Sequence, residues 1–362
     1  MLKDRVWAHF DLPTFALVVL LVAVGLLMIA STTLHSGEPL LERQAIWLAA
    51  GLVLMGIVIA VDYRTWASLA YLFYGGSVAS LAYLLAFGRE IAGARSWIEI
   101  GSLNFQPAEL AKISTALAMA AFLASRPGTN LGARNLIVLC LLVAIPGVLI
   151  LLQPDMGTLF PFAPLLGIMA LLGGIRARTL VILAVTAMLA IPLVWGYVLK
   201  DYQKERVQTF FDPERDPRGA GYQVLQSKIA LGSGGLWGKG PFSGTQGQLH
   251  FLPAQHTDFI FSVLGEEGGF AASASVLMLY YLLLRRCFTA ADSSRDLLGV
   301  YVCMGVGTLL ATQILFNIGV AAGLLPTAGI ALPLMSYGGS SLVSTLIALG
   351  LIMNVRMRRF VN

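Results

Sequence analysis

Ten apolar stretches of membrane-crossing length constrain this chain more than any other feature. A helix that crosses a bilayer needs about 20 predominantly apolar residues. Such runs cover residues 13–34, 42–61, 66–87, 107–125, 135–152, 157–174, 178–199, 259–284, 297–321 and 334–355. Only the segment QPDMG, residues 153–157, parts the fifth from the sixth. Pro146, Pro161, Pro164 and Pro192 fall inside runs, where neighbouring helices can satisfy the backbone groups that proline frees. The sequence thus predicts an all-α integral membrane protein of ten helices, forming one domain over residues 1–362. Composition agrees: only 12% of residues are charged, against about 25% in soluble domains.

Basic residues orient the bundle. Short loops on the N-terminal side carry Lys3, Arg5, Arg64, Arg126, Arg134, Arg176, Arg178, Arg285, Arg286, Arg295, Arg356, Arg358 and Arg359. Short loops on the opposite side carry only Arg43, Arg89 and Arg95. The positive-inside rule then puts both termini in the cytoplasm. It leaves one large extracytoplasmic loop, about residues 200–257, between the seventh and eighth helices. The net charge of +5 reflects this asymmetry and does not point to nucleic acid. Lys3 and Arg5 are interrupted by Asp4, and no small-residue cleavage site follows, so the first run reads as a span rather than a cleaved signal. Cys140, Cys287 and Cys303 are odd in number and suggest neither a disulfide framework nor a metal site.

Two outside segments carry most of the polar residues. In YQVLQSKIAL (222–231), Tyr222, Leu225 and Ile229 share a helical face, as in a helix lying at the membrane interface. Residues 231–248 then hold seven glycines in eighteen positions, a stretch too long for a simple turn. Trp237 and Phe242 favour order there. The shorter segment 88–106 is too polar to span, and places Arg95, Trp97 and Glu99 at headgroup level.

Ionisable groups near spans are few, so each is informative. Glu109 and Lys112, at i and i+3, share a helix face. They form either a structural ion pair or part of a functional cavity. Asp155 suits an N-cap for the sixth helix. Glu266 and Glu267, eight and nine residues past Asp258, read as buried, protonated structural groups. Asp258 precedes an apolar helix and would make a good cap. It also ends the one large outside loop, facing the basic candidates Arg43, Arg95, Lys228 and Lys239, and so suits a general base. His256, two residues away, reads as structural or as a neighbour in a polar cavity, and Gln246 is a further cavity candidate. In the last outside loop, Ser336, Tyr337, Ser340 and Ser341 either line a cavity or belong to a packed re-entrant turn. No nucleotide-type phosphate loop is present.

The segments RSWIEIGSLNFQPAELAK, QPDMGT, LPLMSYGGSS and the block DPERDPRGAGYQVLQSKIALGSGGLWGKGPFSGTQGQLHFLPAQHTDFIF resemble the SEDS family (shape, elongation, division and sporulation) of cell-wall proteins. The resemblance covers nearly the whole chain. QSKIALGSGG and GKGPFSGTQ are similar to its elongation branch rather than its division branch. Departures are small: Ala108 where Ser is common, and GEEGG where GEELG is common. The resemblance implies a peptidoglycan glycosyltransferase of the bacterial cytoplasmic membrane. It would polymerise lipid II on the outer face with a class B penicillin-binding protein as partner, and would serve cell elongation and shape.

The family's essential aspartate in HTDF maps onto Asp258. It would deprotonate the acceptor hydroxyl, while a lipid pyrophosphate leaves without protonation. One carboxylate then suffices, where glycosidases use two. Arg43, Arg95, Lys112, Lys228 and Lys239 are candidates to stabilise the pyrophosphate, and a magnesium or manganese ion could share that work. Two rivals stand beside this expectation: a transporter that flips lipid II, and a scaffold for the penicillin-binding protein.

Overall fold

The structure is a computed structural model. It describes residues 9–33, 39–88, 95–100, 103–126, 131–198, 201–212, 219–248, 251–252 and 254–359. Lys3, Arg5, Arg89 and part of the DPERDPRG segment lie outside these residues.

The protein is an integral membrane protein, and it is mostly helical. Eight described helices are long and apolar enough to cross a bilayer: α1 (Leu12–Thr33), α2 (Leu40–Ala60), α4 (Ala70–Phe87), α5 (Pro107–Ala124), α6 (Ala133–Leu152), α13 (Ile260–Asp292), α14 (Leu297–Ala321) and α15 (Gly339–Arg358). The short α3 (Tyr63–Ser68) leads into α4. It is capped by the Asp62 carboxylate, which accepts from the Arg64 amide.

The sixth expected span is a broken helix, and the seventh changes register within one. Residues 157–174 appear as α7 (Met156–Leu159) and α8 (Phe162–Leu172), parted at Pro161. Residues 178–199 appear as α9 (Ala177–Leu193), which continues as a π-helical turn over Val194–Val198 just after Pro192. Proline lacks the ladder N–H, and such re-registered turns follow.

The polar segment 88–106 departs from the all-α expectation. It folds into a small antiparallel hairpin of β1 (Ile98–Ile100) and β2 (Leu103–Phe105), with Glu99 opposite Asn104. The long segment between the seventh and eighth expected spans holds α10 (Asp201–Phe211), α11 (Ala220–Ser233) and α12 (Thr245–Gln248).

Burial sorts the helices. Among residues in the α5 and α15 spans, 83% are buried, against 17% for α4. A helix that is apolar all round and buried belongs at the centre of a bundle. α5 packs against α4, α14 and α15, and α15 runs along α2. Outer helices leave large apolar side chains exposed, as a lipid surface requires: Leu72 and Phe87 on α4, and Met188 and Leu189 on α9.

α11 docks through its small polar face. The Ser227 and Ser262 hydroxyls are 2.6 Å apart, and Ser227 donates to the Ala321 carbonyl at 2.7 Å. Leu225 and Ile229 stay exposed on the other side, as the interfacial reading expects.

The Gly-rich stretch is ordered by a break in α13. Gly269 sits at φ +67° and interrupts the helix. The carbonyls and amides freed there are taken up by the loop. Lys239 and Gly240 amides donate to the Glu266 and Glu267 carbonyls, each at 3.0 Å. Phe270 and Ala271 amides donate to the Gly235 and Leu236 carbonyls, at 2.9 and 3.1 Å. A Cβ at Gly269 would lie 2.3 Å from the Gly238 nitrogen. Glycines are needed on both sides of this contact because two backbones touch.

The two glutamates close the same clasp. Glu266 takes the Lys239 ammonium at 2.6 Å and the Thr245 amide at 2.8 Å. Glu267 accepts from the Ser31 hydroxyl and from the Phe242 amide. Both are buried and structural, as the sequence suggested, and Glu266 is bound by a lysine and loop amides.

Candidate active site

Asp258 has no capping duty. α13 begins at Ile260, Phe259 holds the cap position, and no side chain caps it. The aspartate instead lines a cavity of about 490 Å3 at one end of the bundle. The hairpin contributes Ser96 and Trp97; α5 contributes Gln106, Glu109 and Lys112 through its first turns. Asp155 and Thr158 come from the broken helix, and Thr327, Gly329 and Tyr337 from the loop before α15. Arg206 reaches in from α10.

Pro107 opens α5 at its first helical position, where the missing N–H costs nothing. Glu109 falls in the first turn and Lys112 one turn on. The Lys112 ammonium is 2.8 Å from Glu109 Oε1, and the Ser344 hydroxyl donates to Glu109 Oε2 at 3.1 Å. Both side chains are buried. Ion pair and cavity wall are thus the same two residues. Lys112 spends one of its three N–H donors on Glu109.

Asp155 also does two jobs. It caps α7, accepting from the Thr158 amide at 3.2 Å and the Thr158 hydroxyl at 2.7 Å. It takes the Gln106 side-chain amide at 2.5 Å as well. Burial pushes its carboxyl above the usual carboxylate range, against the pull of Thr158.

Burial likewise pushes the Asp258 carboxyl up to about 6, while the Arg206 guanidinium and the Thr257 hydroxyl oppose the rise. The backbone around it is held from several sides. The Asn317 side-chain amide donates to the Asp258 carbonyl at 3.0 Å and to the Ile330 carbonyl at 2.7 Å. The Ser336 hydroxyl donates to the Thr257 carbonyl at 2.5 Å, and the Tyr337 amide to the His256 carbonyl at 2.8 Å. The His256 and Tyr337 rings meet edge to face, centroids 5.7 Å apart. Gly329 lies across from the carboxylate. Even a Cβ there would be 4.0 Å from Asp258 Oδ2, so the approach stays open.

Of the sequence candidates, Asp258, Trp97, Glu109, Lys112, Asp155, Tyr337, Ser340 and Ser341 share this cavity. Arg43, Arg95, Lys228, Lys239, Gln246, His256 and Ser336 are not part of its wall. Ser336 and His256 shape the backbone behind Asp258. Lys239 and the Gln246 amide belong to the Glu266 clasp. Lys228 lies against Gly323. The sequence reading missed Arg206, Asn317 and Gln313. Arg206 carried a signal: it sits in a charged helical stretch of the long segment between the seventh and eighth expected spans. Asn317 carried none beyond being polar inside an apolar run.

A family model described as cell cycle protein, covering FtsW, RodA and SpoVE, matches residues 11–360. The chain belongs to this family. Among curated relatives of the FtsW/RodA/SpoVE family, the peptidoglycan glycosyltransferase MrdB of Escherichia coli K12 is 37% identical over 360 residues, 99% of this chain and 96% of its own. A probable peptidoglycan glycosyltransferase FtsW of Trichlorobacter lovleyi is 35% identical over 96% of this chain and 93% of its own. Solved structures agree. One chain, from work on how a peptidoglycan synthase complex coordinates polymerization and crosslinking, superposes with a TM-score of 0.83 at 39% identity, covering 97% of this chain and 98% of that one. Thermus thermophilus RodA gives 0.73 at 33% identity, covering 98% and 99%.

Proposed function

We propose that this chain is a peptidoglycan glycosyltransferase that polymerises lipid II, with Asp258 as its general base. The observation that carries this assignment is the Asp258 carboxylate: it caps no helix, lines the cavity, and has its acidity tuned to about 6. A base is most effective when its pKa lies near working pH. Asp258 takes the proton from the acceptor GlcNAc 4-hydroxyl as that oxygen attacks C1 of the donor MurNAc. The α-linked donor inverts to a β-1,4 bond, and lipid pyrophosphate leaves as an anion that needs no acid. Arg206 and Lys112 are the cavity's cations and stabilise charge developing on the pyrophosphate.

Ten crossings, with both termini cytoplasmic, follow when the broken α7–α8 and α9 with its π-helical turn each count as one crossing beside the eight long helices. The cavity then opens to the outer face of the bacterial cytoplasmic membrane. A class B penicillin-binding protein is the proposed partner, because the solved relative belongs to a synthase complex that also crosslinks. Among the described residues no three His, Cys, Asp or Glu side chains converge on a metal site. Magnesium is commonly held by one or two carboxylates together with substrate phosphates, and Asp155 and Asp258 are the cavity's aspartates; no step here runs through an ion.

The test supplies purified chain and its penicillin-binding protein with lipid II, and resolves glycan on a gel. Wild type should make polymer and folded Asp258→Asn should make none. Polymer from both would remove Asp258 from the chemistry. Polymer from neither would favour a flippase or a scaffold.

A further inference from the structure

The ends of α1, α13 and α15 farthest from Asp258 enclose a second cavity, of about 640 Å3. Its lining forms two helical stripes. Pro13, Ala16, Leu17 and Leu20 line it from α1, and Leu282, Arg285, Arg286 and Thr289 from α13. Both sets follow the i, i+3, i+4, i+7 spacing of one helix face. Arg356 of α15 completes the wall. From Pro13 to Leu20 the helix rises about 10 Å. Charge therefore gathers at the mouth, and an apolar track runs from it into the bundle's lipid-facing side.

One described carboxylate answers these three arginines. Arg286 pairs with Asp11 and donates to the Thr14 hydroxyl at 2.7 Å. Arg356 lies 3.4 Å from Asp11 and donates to the Thr289 hydroxyl at 3.4 Å. No described side chain pairs with Arg285, which is exposed. Three arginines less one aspartate leave two positive charges unanswered among the described residues. Asp11 is buried and fixes two of the guanidiniums in advance, so a ligand need not order them. Planar guanidinium forks match phosphate oxygens. Basic pockets between helices at a membrane interface are suited to anionic headgroups.

We propose that this groove binds an anionic phospholipid. Its phosphate sits against Arg285, Arg286 and Arg356, and one acyl chain lies along Pro13, Leu17 and Leu20. The site is separate from the Asp258 cavity and stands whether or not the glycosyltransferase assignment does.

Native mass spectrometry of the full chain, exchanged with phosphatidylglycerol, cardiolipin or phosphatidylcholine at equal concentration, tests it. The anionic lipids should be retained over phosphatidylcholine. Arg285→Gln should lower their retention about five-fold, the effect of one basic residue at an anionic surface. Leu20→Trp, which fills the track without changing charge, should lower it too. Both residues are exposed, so melting temperatures should match the parent and report folding independently. Arg134→Gln, exposed on another helix outside the groove, should change nothing. Equal retention of all three lipids overturns the proposal. So does loss with Arg285→Gln but not with Leu20→Trp, which would mean headgroup recognition with no acyl chain in the track. Equal loss with Arg134→Gln would reduce the effect to overall charge and overturn the groove as well.

Discussion

Asn317 ties Asp258 to the loop that faces it: one side-chain amide donates to the Asp258 carbonyl at 3.0 Å and to the Ile330 carbonyl at 2.7 Å. With the Ser336 and Tyr337 contacts to Thr257 and His256, this group holds the proposed base against the opposite cavity wall. Asn317→Ala leaves two buried carbonyls without their donor, at a cost of about 1–3 kcal/mol each. The expected outcome is a lower melting temperature and a fall in kcat of about ten-fold or more, since misplacement of a reacting group by an ångström is costly. Lipid II polymerisation by folded variant, compared with wild type, checks it.

The Asp258 carboxyl titrates at about 6 in the folded chain. It is raised above the ordinary value of about 3.9. The base form therefore fills as pH rises through 6, and the polymerisation rate should climb over pH 5–7 and then level. Stability runs the other way. A raised acid pKa means the folded state holds its proton more tightly, so the stability this group contributes is present below about pH 3.9, is lost as pH rises from about 4 to about 6, and changes no further above that. Asp258→Asn should abolish polymer while holding or raising the melting temperature at pH 8. A thermal shift series across about pH 4–8 for both proteins would show it, the wild type falling relative to the variant between about 4 and 6 and running parallel to it above.

Arg206 lowers the Asp258 pKa by its charge. Removing it should move the acidic limb of the rate profile to higher pH. It should also remove a cation from the pyrophosphate. Arg206→Ala is expected to lose about 10²-fold in rate, comparable to losing one electrostatic contact in an active site. A loss of rate with an unmoved limb would separate the two roles.

Gly269 carries the contact between the broken helix and the Gly-rich loop. Gly269→Ala adds a Cβ 2.3 Å from the Gly238 nitrogen at φ +67°. It should destabilise the chain by several kcal/mol, since strain and overpacking each cost about 1–3. Partial proteolysis should then cut first between residues 231 and 248.

The sequence by itself settled the membrane class, because lipid forces backbone groups to be satisfied within apolar helices, and that requirement is written locally. It also marked the interfacial face of α11 and the paired spacing of Glu109 and Lys112. It did not decide between cap and cavity for Asp258. An aspartate before a helix looks the same in both roles until the cap position is seen at Phe259. Nor did it sort the cations, since Lys239 and Arg206 are equally polar loop residues. Tertiary folding spends Lys239 on Glu266, two turns into a broken helix, and brings Arg206 to the cavity. Those outcomes depend on contacts across tens of residues, where the partner's position rather than the residue's identity fixes what a charge does.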